Sequence, residues 1–257
     1  MLVLYHGELS TCAQKVRLVL AEKGLEWESR HLDLRKAEQH RPDYLAINPN
    51  GVVPTLIHDG QVVIESTVIL EYLEDSFPAS PFRPEAAIGQ ARMRLWMKAL
   101  DEGIHANCGV LSSAIAFRHQ PGHEAQIRTM VNPEKRARKM ESFKRGVEAP
   151  LFRAALGRFV RMLDDMEAAL PSHDWLAGDT LSLADFSYLP YATRLEQLGL
   201  AGLIEERPAV AGWFSRLKAR ASFEAAISHW APAGTLTLMG EKGAQSWPRI
   251  AEMAAGL

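Results

Sequence analysis

The chain has 257 residues, of which 47% are hydrophobic and 23% charged, a composition typical of a globular protein rather than a disordered or fibrous one. Its 29 basic and 31 acidic residues give a net charge of −2, which argues against nucleic-acid binding, since that function normally needs a strongly basic face. No apolar run approaches the roughly 18 residues of a membrane span, and the first residues lack the pattern of a secretory signal. We therefore expect a soluble, cytoplasmic protein that binds neither nucleic acid nor membrane.

Residue types that usually mark metal or nucleotide chemistry are sparse. The two cysteines, Cys12 and Cys108, are too few for a disulfide framework or a tetrahedral zinc site. The sequence also lacks a dinucleotide-binding glycine motif, a phosphate loop and a serine-hydrolase elbow. We expect no metal site.

The first 77 residues predict a small mixed sheet with helices packed on it. Apolar residues recur at helical spacing after a short first strand, and Gly24 stops that helix. Asp59-Gly60 between two β-type runs is a strong hairpin signal, and Ser66 begins the next helix. The predicted elements are strands at 2–5, 27–34, 55–58 and 61–64, helices at 11–23 and from 66, and a short helix or irregular connection at 41–47.

The rest of the chain predicts helices only. Three prolines in residues 77–84 indicate a linker. After it, the apolar spacing predicts one long helix over 85–118, then helices at 151–170, 182–198 and 209–219, a short apolar piece ending near Trp230, and a polar tail. We predict an α+β chain: a β-α-β-α-β-β-α domain at 1–77 and an all-α domain at 85–257.

Ser10 lies between the first strand and the N-terminus of the first helix, where backbone N–H groups and the helix dipole favour an anion. Its hydroxyl is able to donate a hydrogen bond to a thiolate and lower the pKa of that thiol, or simply to cap the helix. Cys12, in the same first turn, is either a reactive thiol or a packed, inert one. It has no C-x-x-C partner, which excludes a thioredoxin-type dithiol cycle.

Two further segments favour peptide binding. Pro54 at the start of a strand leaves Val53 extended, so that its backbone is able to pair with an extended peptide. Glu65 and Ser66 end a strand and begin a helix, which is a ready site for a carboxylate, although an ordinary N-cap explains Ser66 equally well. Together with Ser10, these features suit a small peptide that carries a thiol and a carboxylate.

On these segments the sequence resembles the cytosolic glutathione transferases of the serine type, the theta- and zeta-like classes. The resemblance extends over nearly the whole chain. It is carried by STCAQKVRLVL at 10–20, INPNGVVPTL at 47–56, DGQVVIESTVILEYL at 59–73 and DWLAGDTLSLAD at 174–185.

The resemblance implies a thioredoxin-like domain followed by an all-α domain, in a homodimer that uses glutathione as co-substrate. It implies that Ser10, rather than the earlier Tyr5, activates the glutathione thiol. The implied glutathione-binding residues are Val53 and Pro54 at the cysteinyl residue, Glu65 and Ser66 at the γ-glutamyl end, Gln39 or its rival His40 at the glycyl carboxylate, and Asp101 across a dimer interface.

The second reactant is expected to be a small hydrophobic or aromatic electrophile bound between the two predicted domains. Its binding residues are expected on the first long helix, with Cys12 nearby. His105 is either an acid for a leaving group or a structural hydrogen-bonding residue. The candidate electrophile-binding residues are Cys12, Ile104, His105, Cys108 and Leu111.

Within the family, three activities are open. Thr11 and Gln14 depart from the pattern of the maleylacetoacetate isomerases, which argues against that activity. The long charged segment at 119–150, whose plain interpretation is a solvated helix at 132–145, and the segment at 65–75 are similar to bacterial β-etherase-type enzymes. Cleavage of β-aryl ethers by glutathione is thus the leading specific hypothesis. A glutathione-dependent isomerase or reductase and a non-catalytic glutathione-binding protein are the alternatives.

In the second domain, Ser182 and Asp185 are typical of a capping box, with Leu181 and Phe186 as its hydrophobic staple. This match is structural rather than catalytic. We predict that Asp185→Ala lowers stability by about 1 kcal/mol or more without removing a group that touches substrate.

Overall fold

The computed structural model describes residues 1–128 and 133–257. They pack into two compact units that follow packing rather than chain order, so the predicted domains at 1–77 and 85–257 stay a prediction. The first unit consists of Met1–Met97, Ser172–Pro190 and Trp213–Pro232, and the second of Lys98–Pro171, Tyr191–Gly212 and Ala233–Leu257.

The first unit is built on a four-stranded sheet of order β2-β1-β3-β4. β1 and β2 are parallel, as the strand–helix–strand pattern predicts, whereas β3 is antiparallel to both β1 and β4. Leu4 on β1 lies opposite Leu56 on β3, and both side chains are fully buried. The strands are β1 at Leu2–His6, β2 at Glu28–His31, β3 at Thr55–His58 and β4 at Gln61–Ile64.

Two helices pack together in this unit, α1 at Thr11–Glu22 and α3 at Ser66–Ser76. α1 buries an unbroken run from Ala13 to Leu20. It ends before Gly24, whose φ of +62° is the left-handed conformation expected after a helix. A short helix, α2, follows β2 at Pro42–Leu45. The thioredoxin-like arrangement of strands and helices predicted from the sequence is confirmed.

The proline-rich linker after α3 is fastened to α1. The ammonium group of Lys23 lies 2.8 Å from the carboxylate of Glu74 and donates to the carbonyls of Phe77 and Ser80 at 2.9 and 3.2 Å. The linker residue Phe82 donates its backbone N–H to Glu74 as well, at 2.8 Å. The segment is therefore an ordered part of the first unit.

Past the linker the described residues form helices, with one isolated β-bridge between Trp175 and Gly178. Two expectations were wrong. The helix predicted over 85–118 is interrupted by a π-helical turn at Leu100–Ile104, where Gly103 leaves the helical conformation. The stretch after Trp230, predicted as a polar tail, is a long helix, α13. The helices are α4 Ala87–Ala99, α5 His105–Ile115, α6 His123–Arg128, α7 Pro133–Arg145, α8 Pro150–Ala169, α9 Leu183–Gln197, α10 Gly202–Glu205, α11 Pro208–Lys218, α12 Ala221–Ala226 and α13 Ala233–Ala255.

The solvated helix predicted at 132–145 corresponds to α7, while residue 132 itself lies outside the described residues. Most described positions of α7 are exposed, as a helix of mixed charge requires. Across the described residues, none of the helices combines the length and apolar character needed to cross a membrane.

Candidate functional site

Ser10 lies in a tight turn between β1 and α1. The turn is closed by the Ser10 N–H, which donates to the Gly7 carbonyl at 3.3 Å. The half-buried Ser10 side chain caps α1, since its oxygen accepts the N–H of Ala13 at 3.2 Å. A serine hydroxyl carries one donor hydrogen besides its acceptor lone pairs. Capping uses the oxygen as an acceptor, so it is compatible with donation of the hydroxyl hydrogen to an anion at the tip of the helix.

The loop before β3 is held from behind by two side chains. The Tyr44 hydroxyl donates to the Val52 carbonyl at 2.5 Å, and the Asn48 amide donates to the same carbonyl at 3.0 Å. The next peptide bond, Val53–Pro54, is cis. The backbone N–H and C=O of Val53 make no hydrogen bond to any residue that the structure describes. The geometry thus presents one residue with an unpaired backbone edge, as the sequence predicts.

The start of α3 is the second anion-favouring helix end in this unit. Glu65 precedes it with φ +69° and ψ 116°, a conformation that is rare for non-glycine residues. Where it occurs, it is often found at functional sites. Ser66 is the first helical residue and is buried, whereas Glu65 is exposed. The fully buried Lys15 of α1 places its ammonium group 3.4 Å from the Ser66 hydroxyl. A cation, a hydroxyl and a helix N-terminus therefore converge at this point.

Lys15 is the site residue that the sequence analysis missed. It lies five residues after Ser10 on α1 and joins that helix to the start of α3, so the two helix ends are mechanically linked. The signal available in the sequence is a lysine at position 15 inside a helical pattern of apolar residues that includes Ala13 and Val16. The structure buries this part of α1. A charge in such a place requires a polar partner.

Gln39 and His40 lie in a 3-10 turn at Glu38–His40. The amide oxygen of Gln39 is buried and has no hydrogen-bond partner among the described residues. His40 is exposed, and its ring lies against Gly51, where an added Cβ would come within 2.7 Å of Nδ1. Gly51 also has a φ of +61°, so this position favours glycine for both reasons. The unsatisfied atom of Gln39 is a hydrogen-bond acceptor.

Cys12 is half-buried in the first turn of α1, and Tyr5 packs its ring against Tyr44 at 5.4 Å between centroids. Tyr5 is thus engaged with the residue that supports the Val52 carbonyl. This contact assigns Tyr5 to packing in the described structure.

Four of the five candidate electrophile-binding residues lie in the second unit, and the fifth, Cys12, lies on α1 in the first. Ile104 ends the π-helical turn, and Cys108 and Leu111 follow on α5; all three are buried. His105 is exposed, and its Nδ1 lies 3.2 Å from the hydroxyl of Tyr191. Asp101 is exposed on the π-helical turn. The structure describes no cluster of three or more potential metal ligands in the residues searched.

The predicted capping box at α9 is present in a modified form. The Asp185 carboxylate accepts the Ser182 N–H and hydroxyl, both at 2.9 Å, the Leu176 N–H at 3.0 Å, and the Trp213 indole N–H at 2.9 Å. Ser182 and Asp185 are fully buried. Ser182 therefore donates to the carboxylate, and the site has the properties of a structural junction.

Comparisons with known proteins match both family models and individual relatives. Residues 9–76 match the family model described as glutathione S-transferase, N-terminal domain, and residues 136–216 match that of the C-terminal domain. The chain is 33% identical to the protein LigF of Sphingobium sp. (strain NBRC 103272 / SYK-6) over 216 residues, which cover 78% of this chain and 83% of LigF. The crystal structure of the β-etherase LigF superposes with a TM-score of 0.73 and 31% identity, covering 88% of this chain and 98% of that one.

Two other relatives carry different activities in their names. The tetrachloro-p-hydroquinone reductive dehalogenase of Sphingobium chlorophenolicum is 28% identical over 251 residues, covering 87% of this chain and 94% of the relative. A probable maleylacetoacetate isomerase of Caenorhabditis elegans is 31% identical over 190 residues, covering 73% and 76%.

Proposed function

Since this chain belongs to the glutathione S-transferase family and is a glutathione transferase, we propose that it holds the glutathione thiol as a thiolate at Ser10 and uses it to cleave β-aryl ethers. The observation that carries the thiolate site is the turn at residues 7–10, which places a capping hydroxyl at the tip of α1. The observation that favours the substrate is the similarity to the β-etherase LigF.

Glutathione binds along one edge of the first unit in this proposal. The unpaired backbone of Val53, held next to Pro54, pairs with the cysteinyl residue in the manner of a β-strand. The γ-glutamyl end meets the start of α3, where Ser66, Glu65 and Lys15 supply a hydroxyl, a carboxylate and an ammonium group.

The glycyl end and the dimer contact complete the proposed peptide site. The glycyl carboxylate accepts from the amide N–H groups of Gln39 in this proposal, with His40 as the rival donor. Asp101 supplies a carboxylate for the γ-glutamyl ammonium group of the partner subunit.

The chemical step is nucleophilic substitution. The sulfur of the thiolate forms a bond to the carbon that carries the aryl ether, the C–O bond breaks with its electron pair, and the phenolate leaves and takes up a proton. Holding both reactants side by side supplies part of the rate, and keeping the sulfur ionised at neutral pH supplies another part. Ser10 acts in the second part by donating its hydroxyl hydrogen to the sulfur.

The electrophile side is proposed on the second unit. We assign contacts with the electrophile to Ile104 at the end of the π-helical turn and to Cys108 and Leu111 on α5. Cys12 of α1 is the fourth residue assigned to it. His105, held by the Tyr191 hydroxyl at 3.2 Å, donates the proton to the departing phenolate.

Two other reactions on the same fold are set against this proposal. A reductase is favoured by the named dehalogenase relative and by Cys12 in the first turn of α1, and an isomerase by the named maleylacetoacetate isomerase. A β-etherase consumes one glutathione for each phenol released, an isomerase regenerates it, and a reductase forms glutathione disulfide. Measuring glutathione consumption and disulfide beside product therefore distinguishes the three. The enzyme assignment speaks against a purely non-catalytic binding protein.

We place the protein in the cytoplasm as a homodimer. Three large apolar side chains, Val68, Ile88 and Leu95, are more than half exposed in the first unit, at 54%, 65% and 66%. Covering them by a second copy removes apolar surface from water. Light scattering on Leu95→Glu, with Leu257→Glu as the matched control at another exposed leucine, tests this: dimer loss confined to the first variant supports it.

The central experiment compares Ser10→Ala with Cys12→Ala. Ser10→Ala keeps glutathione binding within about fivefold but lowers kcat/KM for a β-aryl ether at least about 100-fold. Cys12→Ala keeps most of the activity. The matched control is Ser182→Ala, which removes a serine at another helix start in the same unit. Loss of activity in Cys12→Ala with activity kept in Ser10→Ala contradicts the proposal and favours a reductase.

A further inference from the structure

Arg17 is a buried cation that the proposed chemistry does not use. It lies on α1, seven residues after Ser10, and is only 1% exposed. Burial of a guanidinium group is costly unless every donor finds a partner. The position of its partners therefore tells what Arg17 is for.

The guanidinium group holds the turn that places Ser10. Nη1 donates to the carbonyl of Gly7 at 3.1 Å, and Nη2 donates to that of Glu8 at 3.0 Å. The Gly7 carbonyl is also the acceptor of the Ser10 N–H that closes the turn. Two successive carbonyls of one four-residue turn are thus fixed by a single rigid fork.

Arg17 is itself fixed from two other sides. Nε donates to the Ala226 carbonyl at the end of α12 at 2.8 Å, and the ring of Trp230 lies 5.4 Å from the guanidinium carbon. Nη1 also lies 3.0 Å from Nδ1 of His6. Because a guanidinium group only donates, this nitrogen of His6 is an acceptor, and its Nε2–H donates to the Ser29 hydroxyl at 2.8 Å.

The charges around this group leave Arg17 with neutral hydrogen-bond acceptors. The carboxylate of Glu8 pairs with His31 at 2.6 Å and with Arg35 at 3.4 Å. Burial lowers the pKa of Arg17 to about 9, so the group is still charged at neutral pH. Burial, with Arg17 next in importance, lowers the pKa of His6 to about 3, so His6 stays neutral. The charge of Arg17 is thus retained among neutral hydrogen-bond acceptors, which are three backbone carbonyls and Nδ1 of His6.

A purely structural role would be to dock α12 on α1. A second, independent set of hydrogen bonds also holds α12 on α1. The carboxylate of Glu22 binds Arg220 at 2.6 and 2.7 Å and the Ser222 hydroxyl at 2.5 Å. The contacts to Gly7 and Glu8 contribute nothing to α12. They serve the turn.

Resting on the proposed function, we propose that Arg17 is a positioning residue that aims the Ser10 hydroxyl at the glutathione sulfur by clamping the Gly7 and Glu8 carbonyls. It touches neither glutathione nor the electrophile. Its effect reaches the reaction through the turn alone.

The test measures the pKa of the thiol of bound glutathione by the ultraviolet absorbance of the thiolate, together with the pH profile of kcat/KM. Arg17→Met removes the fork, and Arg17→Lys keeps the charge but is unable to hold both carbonyls at once. Glu22→Gln is the matched control, since it weakens the docking of α12 and leaves the turn intact. Ser10→Ala, measured in the same assay, reports on the proposed function itself.

We expect both Arg17 variants to raise the pKa of the bound thiol by about one unit, which lowers kcat/KM by up to about tenfold at a pH well below the wild-type pKa of that thiol and little at pH 9. KM for glutathione and the pKa in Glu22→Gln stay near the wild-type values. If Arg17→Met fails to fold, Arg17→Lys provides the same readout.

Three results overturn the inference. An unchanged thiol pKa in Arg17→Lys would show that the positive charge alone is sufficient. An equal pKa shift in Glu22→Gln would make the docking of α12 the cause, and a loss of activity that is the same at every pH would show that the thiol pKa is not involved. If Ser10→Ala also leaves the thiol pKa unchanged, the proposed role of Ser10 fails as well. If Ser10→Ala raises the pKa and the Arg17 variants do not, only the role of Arg17 is wrong.

Discussion

In the first unit, the helices α1 and α9 each follow directly on a serine, Ser10 and Ser182, and the two starts are built differently. At α9, the carboxylate of Asp185 collects four donors, and both Ser182 and Asp185 are withdrawn from solvent. At α1, Ser10 is half-buried and its oxygen accepts one bond, at 3.2 Å from Ala13. The polar groups of the α9 start are satisfied internally, whereas the hydroxyl hydrogen of Ser10 is the donor that we propose for the glutathione thiolate.

The supports of the two starts differ in the same direction. At α9, Asp185 binds Ser182 directly, so we expect substitution of either residue to lower the stability of the fold. Around Ser10, Arg17 instead binds two backbone carbonyls of the turn, those of Gly7 and Glu8. The α1 start thus has a fixed backbone and a serine hydroxyl that is not bound by a carboxylate. This is the geometry of a preorganised site.

The largest effect that separates the two starts is expected from Asp185→Ala. The substitution leaves the Trp213 indole N–H, the Leu176 N–H and the Ser182 hydroxyl without their buried acceptor. Unsatisfied buried donors each cost on the order of 1–3 kcal/mol, so we expect the free energy of unfolding to fall by about 3 kcal/mol or more. Urea unfolding measures it, and kcat per folded molecule should be retained.

The control for this prediction is Asp179→Ala, a carboxylate that is exposed and pairs with His173. It should change stability by less than about 0.5 kcal/mol. A normal melting curve for Asp185→Ala would contradict the structural assignment of this start.

The next effect concerns His6, which contacts Arg17 beside the start of α1. The unfolded chain binds a proton at His6 below pH 6.5, whereas the folded chain holds it neutral down to about pH 3. Falling pH therefore favours unfolding, and each pH unit in that window costs about 1.4 kcal/mol. We expect wild type to lose about 2 kcal/mol more than His6→Gln between pH 7.5 and 5.

Between pH 7.5 and 9 the two proteins should show parallel stability curves, because His6 is neutral in the folded and unfolded chain alike. Parallel curves on the acid side as well would show that His6 is not held neutral by the fold. Urea unfolding across the pH range provides both comparisons.

The sequence predicted the elements that depend on short-range signals. The hairpin strands were placed at their observed bounds because Asp59 and Gly60 supply the turn conformation locally, and both have positive φ in the structure. The strand–helix–strand start and the α3 start were also placed correctly. Ser10, Val53 and Ser66 belong to such local signals, which is why they were found as candidates.

What the sequence missed depends on packing between distant segments. The contact between Arg17 and the Ala226 carbonyl spans 209 residues, and nothing near position 17 announces it. The helix α13 was missed because glycines and a proline lower its local helix propensity. Gly243 nevertheless has a packing reason: a Cβ at this position would collide with the carbonyl of Leu198.

A smaller effect is expected at the start of α3, which resembles α1 in leaving polar groups for a ligand. Ser66→Ala should weaken glutathione binding about tenfold, because the Ser66 hydroxyl and the N–H groups at the start of α3 bind the same γ-glutamyl carboxylate in the proposed site. Calorimetric titration measures the Kd. Ser76→Ala, the same substitution at the other end of α3, is the control and should leave the Kd unchanged. An equal loss in both variants would point to the helix as a whole.

The smallest effect is the stability cost of the open start itself. Ser10→Ala removes one capping hydrogen bond of a half-buried side chain, so the free energy of unfolding should fall by about 1 kcal/mol or less. Ser182 is fully buried and binds Asp185, so Ser182→Ala should lower the free energy of unfolding by about 2 kcal/mol. Thermal and urea unfolding of the two variants side by side measure the difference. Should Ser10→Ala prove the more destabilising, its hydroxyl would be part of the fold in the same sense as Ser182, and the contrast between a closed and an open helix start would be wrong.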